Sequence, residues 1–181
     1  MNKLRKFFHF HVVTKVAVDY RFLRARFFLY FFNLIPDFYT LSPLRNIFLK
    51  WGGASISIMD AYVRSPLWCS DLSHLRIGRG VFMNIGCRIE GAAPVVIGDR
   101  CQVGPFCCFE NVNHTETGDQ ALPVSIGAGV WIGARAVLTP GTEIGDCSVI
   151  AAGAVVTKKV PGGELWGGVP ARKIRNTPPV Q

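Results

Sequence analysis

Not one glycine occurs among the first 50 residues, although the 181-residue chain holds 19. Proline is missing from residues 3–34 as well, so nothing there breaks a helix until Pro36. Acid is almost absent from the same stretch: residues 1–50 hold 2 Asp/Glu against 9 Lys/Arg and carry +7 of the formal +8. No apolar run approaches the roughly 20 residues that span a bilayer; the best, Phe27 to Ile35, is interrupted by Asn33. His9, His11, Lys15 and Asp19 break any signal-peptide core, and no small-residue cleavage site follows. The six cysteines (Cys69, Cys87, Cys101, Cys107, Cys108, Cys147) form no CxxC pair. Without a secretion signal they read as reduced packing residues. The every-third-residue glycine of collagen is absent, and 49% hydrophobic content excludes a disordered chain.

Two segments of different character therefore meet near Trp51. Ten of the 13 phenylalanines precede it, whereas every glycine and a nearly balanced charge follow it. Beyond Ile77 an aliphatic or large apolar residue returns every six positions: IGRGVF, MNIGCR, IEGAAP, then after Val95 and Val96 IGDRCQ, VGPFCC and FENVNH. Thr115 to Ser125 interrupt the pattern, which resumes as IGAGVW, IGARAV, LTPGTE, IGDCSV, IAAGAV and VTKKVP. A period of six fits neither a 3.6-residue helix nor simple alternation. It predicts a solenoid with three flat sides per 18-residue coil, each hexad giving a short strand and a turn. The lead residues from Ile77 to Val156 point inward, as do residues four further on, among them Cys87, Cys101, Cys107 and Asn113. Glycines directly after the leads suit corners with positive φ. Residues 54–75 add an irregular opening coil, making about five.

The hexads, the single interruption and the tail GGVPARKIR resemble the hexapeptide-repeat acyltransferase superfamily, over about residues 54–175. The pattern is most similar to its galactoside, maltose and nodulation acetyltransferases and to bacterial polysaccharide O-acetyltransferases. That resemblance implies a mainly β fold, a left-handed parallel β-helix, in a homotrimer with active sites between subunits. It implies an acetyl-CoA-dependent O-acetyltransferase in which acetyl-CoA is a co-substrate, with no permanently bound cofactor and no metal. The acceptor would be a saccharide of a surface polysaccharide or its precursor.

Only four histidines occur, and His114 is the one at the break in the repeat. A sugar hydroxyl attacks a thioester poorly unless its proton is removed during attack, and a neutral imidazole suits that task. In the resembling families this position holds the catalytic histidine. Asn84, in MNIG, aligns with an asparagine that binds the acceptor or donates toward the oxyanion. Phe82 and Glu90 would line the acceptor pocket; Glu90 departs from the sugar acetyltransferase pattern, and Ala92 replaces an acidic residue. For the donor, Trp131 matches the residue flanking the thioester. Ala134 and Ala152 match backbone contacts to the pantetheine arm, and Thr157, Lys158, Pro170, Arg172 and Arg175 match the adenine and phosphate end. Independently of the resemblance, residues 157–175 gather Lys158, Lys159, Arg172, Lys173 and Arg175 against Glu164 alone, a composition suited to a polyanion.

The chain thus divides into a basic, aromatic-rich helical segment (1–50), an acyltransferase domain (51–175, with loop 115–125) and a tail (176–181). The helical segment either lies on an anionic membrane or packs on the prism or a neighbouring subunit. Basic charge without a recognised motif gives no nucleic-acid partner, and a cytoplasmic location follows, at most peripheral at the inner membrane face. Alternatives are N-acetylation of an amino sugar, acetylation of serine or an antibiotic, and a non-catalytic scaffold. A three-histidine metalloenzyme on the same fold is excluded by the count, since the repeat offers only His74 and His114.

Overall fold

The computed structural model describes residues 2–116 and 118–178, with side chains from Lys15 onward. A helix, α1 (Asn2–Leu34), runs through the glycine- and proline-free stretch. After Pro36 a single 3-10 turn leads into α2 (Ser42–Gly52), which has Pro43 in its first turn. The chain then winds through coils of three short strands. The first holds β1 (Ser55–Ile56), β2 (Tyr62–Val63) and β3 (Trp68–Cys69). The second holds β4 (Leu75–Ile77), β5 (Phe82–Met83) and β6 (Arg88–Ile89), the third β7 (Val95–Ile97), β8 (Gln102–Val103) and β9 (Cys108–Phe109). A hairpin follows, β10 (Val112–Thr115) and β11 (Gly118–Ala121). The fourth coil is β12 (Val124–Ile126), β13 (Trp131–Ile132) and β14 (Val137–Leu138), the fifth β15 (Glu143–Ile144), β16 (Val149–Ile150) and β17 (Val155–Val156). Two longer strands close the chain, β18 (Glu164–Gly168) and β19 (Ala171–Asn176).

A two-residue strand is too short to hold itself, so its backbone groups pair with the coils above and below. Phe82 N–H donates to the Cys101 carbonyl at 2.9 Å, and Gln102 N–H to that of Val130 at 2.9 Å. Three parallel faces result. The first carries β1, β4, β7, β12 and β15, the second β2, β5, β8, β13, β16 and β18, and the third β3, β6, β9, β14 and β17. On the first face Arg76 pairs with Val96, Val96 with Ser125 and Ser125 with Glu143, steps of 20, 29 and 18 residues. The 18 is the bare three-hexad coil, the 20 includes the two-residue insertion, and the 29 contains the hairpin.

All twelve hexad leads are buried, from Ile77 at 6% exposure to Val156 at 0%. The positions four residues later are buried too, with one exception: Asn113 is exposed. The FENVNH hexad leaves the coil at Asn111, whose amide is buried and donates to the Ala93 carbonyl at 2.6 Å, and the hairpin carries Asn113 outward. The interruption therefore begins at Val112 rather than at Thr115.

Glycines directly after a lead do not have positive φ; they are required by the neighbouring coil. A Cβ on Gly133 would lie 2.4 Å from the Ala152 nitrogen, and one on Gly104 2.6 Å from that of Ala134. Positive φ sits two residues later, where Arg100, Phe106, Arg135 and Cys147 adopt it alongside Gly80, Gly86, Gly129, Gly141 and Gly153. Each non-glycine residue there costs roughly 1–2 kcal/mol, which burial of the adjacent core residues offsets.

The helices close the first coil. Ala25, Leu29, Phe32 and Leu49 join the core, and Phe28, Phe31, Phe48 and Trp51 form an aromatic cluster beside it. The Asn33 amide clamps Leu67 at both backbone groups, each at 2.9 Å, fixing α1 to the prism. Asn46 of α2 donates to the Ala61 carbonyl at 2.7 Å. No helix among the described residues is long and apolar enough to cross a membrane.

All six cysteines are free, and Cys69, Cys87, Cys101 and Cys107 are buried. Burial pushes the Cys69 thiol up to about 12 and raises that of Cys101 as well. Thiol titration of the native protein at pH 8 is expected to count no more than Cys108 and Cys147, the other four appearing only on unfolding. Rapid native labelling of Cys69 or Cys101 would contradict this packing.

Candidate active site

Outward residues of the second face stack in register: Tyr62 beside Phe82, Phe82 beside Gln102, Gln102 beside Trp131, Trp131 beside Val149 and Val149 beside Leu165. A groove of about 530 Å³ runs along this column, walled by Phe82, Asn84, Trp131, Ala134, Ala152 and Leu165. Trp131 stands 58% exposed over it. Ala134 and Ala152 occupy equivalent corners one coil apart, where a larger side chain would fill the channel. The groove thus brings together five of the residues singled out above: Phe82, Asn84, Trp131, Ala134 and Ala152.

The Asn84 amide has a defined orientation. Its Oδ1 accepts from the Ile85 backbone N–H at 2.8 Å and from the Arg64 guanidinium at 3.1 Å. Both partners can only donate, so the oxygen must face them and the NH2 is left for a ligand. Arg64 is held in turn by Asp37, whose Oδ2 accepts from Nε at 2.6 Å. Asp37 also accepts from Arg45 of α2 and, at 3.3 Å, from the Tyr62 hydroxyl. Arg45 is fully buried, with its guanidinium 4.4 Å from the centroid of the Phe32 ring. Burial raises the Asp37 pKa, but hydrogen bonds from Arg64 and Arg45 outweigh it and hold the carboxyl below the usual range. Sequence reasoning missed Asp37, Arg45 and Arg64, because three distant stretches of chain meet at this carboxylate.

His114 lies on β10 with its side chain 79% exposed. Its Nδ1 is 2.7 Å from the Asp119 carboxylate, directly across the hairpin from it. An ionised carboxylate only accepts, so Nδ1 carries a proton, and in the neutral imidazole it is Nε2 that holds the lone pair. Asp119 was also missed, because the turn lies between Thr115 and Gly118, off the centre of the interruption, and no spacing in the sequence pairs it with His114. His114 does not line the groove of its own chain.

At the far end, Thr157 and Lys158 are exposed just after β17, Pro170 sits at the β18–β19 turn, and Arg172 and Arg175 are exposed on β19. Arg175 lies opposite the groove residue Leu165. Lys159 pairs with Glu143 at 2.7 Å and Lys173 with Glu164 at 2.5 Å. Arg172 and Arg175 donate only to the Ala171 and Asn176 carbonyls, and with Lys158 they have no carboxylate partner among the described residues. Three cations, rather than the five counted in sequence, remain for an anion. Glu90 stands apart from the groove on the third face, where it accepts from the Ser70 hydroxyl at 2.7 Å and from Arg88 at 3.3 Å.

Three flat faces wound on a six-residue repeat, with a small-residue groove along one of them, define a parallel β-helix of the hexapeptide type. Comparison with known proteins agrees. The bacterial transferase hexapeptide (six repeats) family matches residues 123–158. Galactoside O-acetyltransferase of Escherichia coli (strain K12) is 37% identical over 64% of this chain and 61% of its own. Nodulation protein L of Rhizobium meliloti (strain 1021) is 37% identical over 70% of this chain and 73% of its own. A solved galactoside acetyltransferase in complex with coenzyme A superposes with a TM-score of 0.79 at 30% identity, covering 90% of this chain and 83% of that one. The chain belongs to the hexapeptide-repeat acyltransferase superfamily and adopts its left-handed β-helix. It spans about three fifths of the length of the Escherichia coli relative.

The Asp37 cluster generates a stability test. Asp37→Asn leaves Arg45 buried without its counter-charge and is expected to cost about 3–5 kcal/mol in chemical denaturation. Because the folded-state pKa of Asp37 is depressed, its contribution is present above the unfolded value of about 3.9. It is lost as pH falls through the folded value, so the gap between wild type and variant should close in acid.

Proposed function

We propose that this chain is an acetyl-CoA-dependent O-acetyltransferase acting on a hydroxyl of a saccharide, in a surface polysaccharide or its precursor. The observation that carries the reading is the groove itself. It is apolar and small-walled along its length, has a free amide donor at one end, and at the other reaches Leu165, opposite Arg175, one of three cations without a carboxylate partner among the described residues. A pantetheine arm needs such a channel, and the phosphates of coenzyme A need such cations. The relatives named for galactoside acetylation, one of them solved with coenzyme A, support the same donor and acceptor class.

In this reading Nε2 of His114 takes the proton of the acceptor hydroxyl as its oxygen attacks the thioester carbonyl. Asp119 holds Nδ1–H and steadies the imidazolium that forms. The freed amide NH2 of Asn84 donates to the developing oxyanion or to the acceptor. Collapse breaks the carbon–sulfur bond, and His114 returns the proton to the departing thiolate. Trp131 flanks the thioester, Ala134 and Ala152 admit the arm, and Thr157, Lys158, Pro170, Arg172 and Arg175 meet the adenine and phosphates. Phe82 faces the acceptor, whereas Glu90, on the third face, does not line this groove.

His114 projects from the prism and does not line the groove beside Trp131 in its own chain, which supports a homotrimer with each site shared between subunits. His114→Ala is expected to lower thiol release from acetyl-CoA by at least a factor of about 10², with coenzyme A affinity by calorimetry unchanged. Near-normal turnover would sink the assignment. Mixing His114→Ala and Asn84→Ala chains after joint refolding should restore about a quarter of wild-type activity, because one interface in each mixed trimer keeps both groups. No recovery would place both residues in one subunit.

The donor implies a cytoplasmic location, and within residues 1–50 the exposed flank of α1 serves as a peripheral contact with the inner face of the membrane. Val16, Tyr20, Leu23, Phe27, Tyr30 and Leu34 are all more than half exposed and recur every three or four residues along α1. That stripe lies on the opposite flank from buried Ala25, Leu29 and Phe32, with Arg24 and Arg26 on either side of it. Like-charge repulsion among the seven Lys/Arg of residues 1–34, against Asp19 alone, disfavours the same stripe pairing with another copy. The protein should sediment with phosphatidylglycerol vesicles and not with phosphatidylcholine, and Leu23→Glu/Phe27→Glu should release it. A change in oligomer size without vesicle binding would make the stripe a subunit contact instead.

A further inference from the structure

A second cavity, of about 700 Å³, opens at the helical end of the second face and shares Phe82 with the groove. Its walls include Tyr39, Thr40, Met59, Asp60 and Tyr62. Three rings in it form a ladder that continues the outward column below Trp131. The Tyr62 and Phe82 centroids are 5.6 Å apart with the planes tilted by 42°, and those of Tyr39 and Tyr62 are 5.1 Å apart at 60°. Tyr62 is fixed at its far edge by its hydrogen bond to Asp37, so the platform is set before any ligand arrives. Tyr39 at the end of the ladder is 75% exposed, so its ring is open to a ligand.

The polar groups suit hydroxyls rather than charges. Asp60 lines the cavity and uses Oδ2 to accept from Ser57 at 2.9 Å, and Thr40 adds a hydroxyl. No lysine or arginine lines the cavity. A carboxylate without a cation rejects an anionic chain and accepts hydrogen bonds from a neutral one. The C–H faces of a pyranose pack on aromatic rings, and the ring-to-ring steps here are close to the advance per residue along an extended glycan.

On the reading that the groove acetylates a saccharide, we propose that the acceptor is an uncharged oligosaccharide rather than a single sugar. Its acylated residue sits at Phe82 and Asn84, and the next two residues lie on Tyr62 and Tyr39, directed toward the helices.

The test is acetyl transfer from acetyl-CoA to neutral glucose and galactose oligomers, α- and β-linked, of one to five units. kcat/KM is expected to rise up to three units and then level off. Tyr39→Ala, at an exposed position, should lower kcat/KM for the trisaccharide about tenfold, the equivalent of one stacked ring. The monosaccharide should be unaffected, and Tyr39→Phe should restore the length dependence. Transfer that does not depend on length, or a Tyr39→Ala loss equal for one and three units, overturns the extended site while leaving acetylation of sugars intact. If no saccharide of any length supports thiol release, the acetyltransferase reading itself falls, and the site with it.

Discussion

Every strand in the prism is too short to be stable by itself, and each is held by backbone hydrogen bonds to the coils above and below it. That spacing of about 4.8 Å between coils is the constraint from which the rest follows. It leaves no room for a side chain where the chain turns directly beneath its neighbour, which is why Gly104 and Gly133 lie against the backbones of Ala134 and Ala152. It forces the chain to turn sharply two residues later, so Arg100, Phe106, Arg135 and Cys147 adopt a backbone that L residues avoid. The inward residues stack in columns as a consequence, and four cysteines serve as small apolar packing pieces rather than as reagents.

The same stacking governs the outside. Residues separated by 20, 29 or 18 positions become neighbours on the second face, so one column can hold a ring, an amide side chain and an indole in sequence: Phe82, Gln102 and Trp131. A linear groove is the natural site for such a scaffold, and a long thin ligand is its natural occupant. What stacking cannot supply is a side chain that reaches beyond the prism. The hairpin that interrupts the repeat supplies one, with His114 paired across a two-stranded ribbon to Asp119. A histidine inside a coil would be confined to its own face, whereas one on a ribbon can reach another subunit.

Most of this was legible in the sequence because a period of six leaves few geometries open. The lead positions, the coil count, the helical leader and the break at His114 all follow from spacing, while the handedness came only from resemblance, since a periodicity has no hand. The failures have physical causes. The repeat carries Asn113 inward on paper because FENVNH keeps its period only as far as Asn111, which with the lead Phe109 is buried before the hairpin begins. Glycines after the leads were assigned to positive φ because a sequence does not distinguish a tight turn from a tight contact. The cluster of Asp37, Arg45, Arg64 and Asn84 has no spacing signature at all. Its members lie on a connector, a helix and two coils, and only the folded chain brings them together.

That cluster changes what the first 50 residues are. Their charge and aromatics set them apart from the nearly neutral prism, and taken alone they read as a separate leader. Yet Asp37, between the helices, orients the guanidinium that orients Asn84, and it anchors the Tyr62 hydroxyl. Tyr39, two residues further on, stacks against Tyr62 and closes the cavity below the groove. The buried arginine that neutralises Asp37 comes from α2, and α1 supplies the Phe32 ring beneath it. Removing the helices would therefore do more than expose the first coil. It would release the amide at one end of the groove and dismantle the row of rings next to it, so the leader is a structural part of that end of the groove.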